Sequence, residues 1–459
     1  MTTIHSYDHA FFQDLAIHLT GQLVLPEDGA YEQVRQLWNG KITTRPAAIV
    51  RCANTQDVTE TVRWVRLHGL ALSVRGGGHD PAGRSLYENG VVIDCSQMKA
   101  VSIDPVARTA RVQGGVTGGD LIEAAQQYGL ATSTATVHNV GMSGFTLGGG
   151  YGPLLGACGL GADNLLSAQV VTADGELVTA SPEEHADLLW GLRGGGGNFG
   201  VVVSLEYRLH PLTTMFSGML LYPLDQARSV FRLFNEFLAT APDELTVLSG
   251  ISQTPDGQPV LFLSPFYCGP LEAAEQALVP LRAFGKPLAD QMQPITYYDL
   301  IHSMEAMAPK GRHYFARTRS LAGLQAETTE ALIEHGQSLP SPFSVIAMHH
   351  FHGAASRVGA SETAFALRQD HLMVEISAAW EPQASDEEQG CIQWALNLTE
   401  ALESYAFKGG YINILDVGEQ ERVPLAFGPN YERILNLKRT YDPDDVFHST
   451  TGHLSLAPS

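Results

Sequence analysis

Apolar positions in the first half of the chain alternate between strand-like runs and helical spacing. Residues 47–50 form a short apolar run, and over 57–67 Val58, Val62 and Val65 recur at helical intervals before 71–74 returns to a strand-like run. A strand, helix and strand in that order predict a sheet covered by helices. Further strands are predicted over 91–94, 107–112 and 201–208, with a helix over 119–128. The apolar stretch 168–178 is interrupted by Asp174-Gly175, a hairpin signal. After Pro211 the texture changes, with helical patterns at 227–238 and 273–281 among strand-like runs at 261–266, 343–351 and 372–379. The mixture predicts an α+β protein in three stretches. These are a first domain over 1–211, a second over 212–404, and a segment over 405–459 that returns to the first domain.

Composition narrows the function classes. Of 459 residues, 49 are acidic and 28 basic, giving a formal charge of −21. Such a surface repels phosphate backbones and anionic lipid, so neither nucleic acid nor membrane is an expected partner. Small-molecule chemistry in a monomer or homodimer is the expectation. The first residues, 1–21, lack a basic start, apolar core and small-residue cleavage site, so a cytoplasmic location is expected. Cys52, Cys95, Cys158, Cys268 and Cys391 contain no CxxC pair, and no His/Cys spacing calls for a metal.

Glycine is crowded into the first half, at 76–78, 114–115, 118–119, 148–150 and 194–197. Glycine weakens regular elements, and its common use is to let backbone N–H groups approach a phosphate or a flat cofactor. Gly195, Gly197 and Gly200 spell GxGxxG, but a helical pattern at 183–192 precedes them and a strand follows. That order is the reverse of a dinucleotide fingerprint, which needs strand, turn, then helix. No GxxxxGK[ST] motif occurs either.

Four segments carry a more specific signal. They are Ser73-Val74-Arg75-Gly76-Gly77-Gly78-His79-Asp80; the stretch from Gly141 to Gly152; Ala162-Asp163-Asn164-Leu165 with Val170 to Gly175; and Asp187 to Trp190 with Leu192 to Gly200. Together with Tyr411-Ile412-Asn413 and the stretch from Asn430 to Phe447, they resemble the FAD-linked oxidases of the vanillyl-alcohol-oxidase superfamily. Within it, the likeness is to the berberine-bridge-enzyme-like branch. The resemblance implies a two-subdomain, PCMH-type FAD domain and a substrate domain whose antiparallel sheet roofs the flavin.

The resemblance also assigns residues. It implies that His79 is joined to the 8α-methyl of FAD; the alternative is a histidine satisfied within a glycine turn. Gly76, Gly77, Gly78 and Gly83 would wrap the pyrophosphate, with Arg75, Val140, Gly141, Gly144, Gly148, Gly149, Gly150, Tyr151, Gly152, Asn198, Gly200, Val201 and Asn413 also on the cofactor. Where many relatives carry a second linking cysteine, this chain reads Ala135-Thr136-Val137-His138-Asn139-Val140-Gly141, so a single link is expected. The stretch looks like the bacterial 6-hydroxynicotine-oxidase-like branch. His138 is thus either a wall of the active site or a structural histidine. The small residue before the glycine, here Val140, goes with oxidase behaviour in resembling enzymes, since it leaves room for dioxygen.

For proton transfer, Met348, His350 and His352 share one face of a predicted strand, and His350 is the candidate base, the alternative being an ordinary polar position. Tyr411 is either a base or a ring stacked on the cofactor edge. The ending Phe447 to His453 departs from the family's polar NQ-like stretch, and the resemblance assigns it no flavin contacts. The functional expectation is an FAD-dependent oxidase that takes hydride from a C–H next to O or N of a small secondary metabolite, amine or alcohol, and is reoxidised by dioxygen. The alternatives are a carbohydrate oxidase and a flavin- or ligand-binding protein without turnover.

Overall fold

The structure, a computed structural model, describes residues 9–456. The reading of targeting from the first residues therefore falls partly outside it. Among the described residues no helix is long and apolar enough to cross a membrane.

The first sheet runs in the order Gln22–Val24, Ala48–Arg51, Val91–Asp94, Leu72–Arg75. Its last three strands are parallel. The helix Thr55–His68 forms because Asn54 caps it by accepting from the Asp57 N–H and Gly69 closes it in the left-handed region at φ 63°. Val58, Val62 and Val65 are its buried stripe. The strands flanking that helix are not neighbours, since Val91–Asp94 is inserted between them.

The second sheet is antiparallel, in the order Val101–Asp104, Thr109–Gln113, Val201–Arg208, Leu165–Val171, Leu177–Ala180. Asp174-Gly175 does make the hairpin, with Gly175 at φ 72° joining the last two strands. The helix Ala186–Leu192 precedes the strand Val201–Arg208, the order that ruled out a dinucleotide fingerprint.

The third sheet is antiparallel, with nine strands among the described residues. Leu245–Gln253, Val345–Phe351, His371–Trp380 and His313–Leu321 run side by side in it. One face packs on the helices Ala227–Leu238, Ala326–Gln337 and Glu388–Glu403 through Phe231, Leu332, Leu398, Ile346, Met348, Val374 and Ile376. The α+β expectation holds, and the opposite face of this sheet is left for the site. Ile412, Leu415, Phe427 and Leu437 share a core with Val112, Leu165 and Leu205, so the last segment packs on the second sheet.

Gly77 and Gly141 are required by contact. A Cβ on Gly77 would sit 2.3 Å from the Gly141 N, and one on Gly141 would sit 2.4 Å from the Gly77 N. Two backbones meet here with no room for a methyl. Gly77→Ala should cost about 1–3 kcal/mol, the usual penalty of forced overpacking. The check is a lower denaturation midpoint together with reduced flavin content; an unchanged midpoint would refute the interlock.

Candidate active site

Between the glycine-rich segments and the free face of the third sheet lies a cavity of about 400 Å³. Its floor is backbone: Gly76, Gly77, Gly78, Gly141 and Gly144 all line it. The N–H groups of Gly77, Gly78 and His79 donate to no described residue. Ser73 Oγ is buried without a partner and lines the same wall. A Cβ on Gly144 would meet nothing within 4 Å, so this glycine opens on free space. Unpaired donors on a bare backbone cradle suit phosphate oxygens and a flat ring, and the residues present fit FAD.

His79 stands at the edge of this floor. Its ring stacks on Trp38 at 4.5 Å, and Trp38 stacks in turn on Tyr314 at 3.9 Å. Nε2 meets Asn139 Oδ1 at 2.7 Å. Burial pushes the imidazole down to about 4, so it is neutral at physiological pH.

The roof carries polar side chains that face the cavity. Period two along Val345–Phe351 and His371–Trp380 sends Val345, Ala347, His349, Met373, Glu375 and Ser377 into the cavity. His349 Nε2 pairs with Glu375 Oε2 at 3.2 Å. Tyr411 lines the same space and is raised to about 12, first by burial and also by the Glu375 charge, while Asn413 Nδ2 donates to its oxygen at 3.0 Å. Tyr151 packs beside it with ring centroids 4.7 Å apart. Its hydroxyl meets His371 Nε2 at 2.9 Å, and His371 Nδ1 donates to the Gln369 carbonyl at 2.8 Å. A neutral ring that donates through Nδ1 accepts through Nε2, so the Tyr151 hydroxyl donates its hydrogen bond to His371.

Of the candidate proton-transfer residues, only Tyr411 lines the cavity. His350 is turned the other way, behind the sheet, stacked on His352 at 3.8 Å. His350 and Met348 do share a face, as the alternation requires, but that face packs toward the helices, and the histidine that looks into the cavity is His349. His138 is also corrected. It pairs with Glu305 Oε2 at 2.8 Å and stacks on His302 at 4.1 Å, outside the cavity lining.

The cofactor residues divide in the same way. His79, Gly76, Gly77, Gly78, Val140, Gly141, Gly144, Tyr151, Gly200 and Asn413 line the cavity. The others serve the frame. Arg75 is committed to Asp94 at 2.5 Å and to the Val34 carbonyl at 2.6 Å. Gly83 turns at φ 77° against Ile42. Gly148, Gly149, Gly150 and Gly152 pack tightly on Asn413, Phe365, Phe145 and the Thr134 carbonyl. Asn198 ties the Gly195 and Gly452 carbonyls together, and Val201 is core.

Sequence reasoning missed Trp38, Ser73, His349 and Glu375, and it assigned nothing to Ser449, Thr450 and Thr451, which line the cavity. Glu375 had a signal: a lone carboxylate in the apolar strand Leu372 to Trp380, in phase with Met373 and Ser377. Trp38 had none, because only the fold brings it to His79.

The fold and this cradle define a flavoprotein oxidoreductase. Residues 46–181 match the family model described as FAD binding domain, and 410–452 match that described as berberine and berberine like. FAD-linked oxidoreductase aurO of Gibberella zeae is 31% identical over 93% of this chain and 84% of its own length. (R)-6-hydroxynicotine oxidase of Paenarthrobacter nicotinovorans is 32% identical over 62% of this chain and 63% of its own. The crystal structure of 6-hydroxy-D-nicotine oxidase from Arthrobacter nicotinovorans superimposes with a TM-score of 0.86 at 27% identity, covering 96% of this chain and 98% of that one. The chain belongs to the berberine-like family of FAD-linked oxidoreductases.

Proposed function

We propose that this enzyme is an oxidase holding FAD through a single bond to His79 and taking hydride from a C–H next to nitrogen or oxygen of a small organic substrate. The observation that carries the reading is the His349–Glu375 pair, which faces the cavity that His79 also lines. When bound, FAD would supply a two-electron acceptor that dioxygen can reoxidise.

The chain's own groups handle the proton. An imidazole held by a carboxylate can take the proton of a substrate hydroxyl or ammonium, because the carboxylate offsets the charge that develops on the ring. Tyr411, raised to about 12, keeps its proton at neutral pH and acts as a hydrogen-bond partner that orients the substrate. A flavin carrier without turnover would have no use for this pair.

The remaining walls favour an amine or alcohol carried on an apolar ring. Trp38 Nε1 and Tyr314 Oη are tied to the Ala308 and Pro309 carbonyls at 2.8 Å, so the rings present apolar faces. Leu248, Val345, Ala347 and Met373 complete the surface. A sugar would leave several hydroxyls unpaired there, each at about 1–3 kcal/mol. The heterocyclic amine in the names of the nicotine oxidases fits the same reasoning.

The link is tested by acid precipitation. The precipitated wild-type protein should stay yellow, with the mass of FAD on a peptide containing His79 and none on any cysteine. His79→Ala should release all its flavin to the supernatant. Complete loss of flavin from precipitated wild type would refute the bond.

A further inference from the structure

The reading of His79 as the linking residue leaves open what makes its ring a nucleophile, and among the described residues Asn139 is the one hydrogen-bonded to that ring. We infer that Asn139 is a positioning residue for flavin attachment: its amide oxygen holds the proton of His79 on Nε2, leaving the Nδ1 lone pair as the nucleophile.

The amide oxygen of Asn139 lies 2.7 Å from Nε2. A carbonyl oxygen can only accept, so the ring nitrogen facing it carries the hydrogen. In a neutral imidazole the other nitrogen then holds a lone pair. Nδ1 has no partner among the described residues and is not among the sealed, unpaired polar atoms, so it remains accessible. The Trp38 stack at 4.5 Å and 20° fixes the ring plane, and Trp38 is itself pinned by its Nε1 bond to the Ala308 carbonyl at 2.8 Å. Ring plane and tautomer are therefore each set by a different neighbour, and burial keeps the ring neutral. Asn139 neighbours Val140, which lines the cavity, so the same loop serves both the linking residue and the cofactor wall.

The attachment balances as follows. His79 Nδ1 forms a bond to the flavin methyl carbon, while one C–H of that methyl and the Nε2–H break. Two electrons and two hydrogens pass from methyl and imidazole to the flavin ring, and dioxygen takes them as hydrogen peroxide. After linkage Nε2 carries a lone pair instead of a hydrogen. An amide can turn to donate through Nδ2, so Asn serves both states where a purely apolar residue serves neither.

The measurement is the time course of acid-insoluble flavin after FAD is added to protein purified from flavin-depleted cells, with total bound flavin followed in parallel. Asn139→Leu should bind FAD without the bond and acquire the bond about tenfold more slowly, the scale of one lost orienting hydrogen bond. Asn139→Asp at pH 8.5 keeps an acceptor facing Nε2 and should stay within about threefold of wild type. Equal rates for Asn139→Leu and wild type would overturn the role of Asn139, as would an Asp variant as slow as Leu. If wild type acquires no acid-insoluble flavin, the linkage reading beneath this inference has failed.

Discussion

Glu375→Gln should lower kcat by about 10²- to 10⁴-fold, the usual worth of a positioned proton acceptor. The geometry assigns this to the pair, because Glu375 Oε2 holds His349 Nε2 at 3.2 Å and both side chains face the cavity. Gln keeps the size but removes the charge that compensates an imidazolium, so His349 can no longer take a proton cheaply. Tyr411→Phe should act mainly on orientation, with a smaller loss, since burial already keeps Tyr411 protonated up to about 12. Should Tyr411→Phe abolish turnover while Glu375→Gln keeps near wild-type rates, the tyrosine would be the acceptor.

Val140→Leu should slow reoxidation of the photoreduced enzyme by about 5- to 150-fold. Val140 lines the cavity beside Gly141, the glycine locked against Gly77. Because those backbones cannot move apart, one added methylene must go into the cavity, and forced overpacking costs about 1–3 kcal/mol, which is about 5- to 150-fold in rate. Substrate reduction under anaerobic conditions should change little, because the roof residues are untouched. Stopped-flow mixing with air-saturated buffer decides it. Wild-type reoxidation over minutes would identify a dehydrogenase, and an equally fast leucine variant would mean that dioxygen enters elsewhere.

The sequence by itself determined part of the elements and the cofactor class, whereas the strands Leu245–Gln253 and His313–Leu321 and the helices Ala326–Gln337 and Glu388–Glu403 were not among those expected. Residues 227–238 and 201–208 form their helix and strand at the bounds that local pattern gives, because apolar spacing and the turn residues around them act over a few positions. The glycine clusters and RGGGH were equally legible, since bare backbone at fixed intervals has few uses other than a cofactor cradle or tight packing. Tertiary structure alone separated those uses: Gly77 and Gly144 face the cavity, whereas Gly148 and Gly152 are pressed against Asn413 and the Thr134 carbonyl. It also decided which histidine faces the cavity. Alternation puts His350 and His349 on opposite faces, and period two cannot say which face meets the cofactor. That choice was made by Met348, Val374 and Ile376, which bury themselves under the helices and turn His349 and Glu375 toward the flavin site. Trp38 and Asn139 reach His79 across 41 and 60 residues of chain, distances over which no local pattern carries information. The hydrophobic effect chose the sheet's inner face, and the cavity-lining face is what that choice left open.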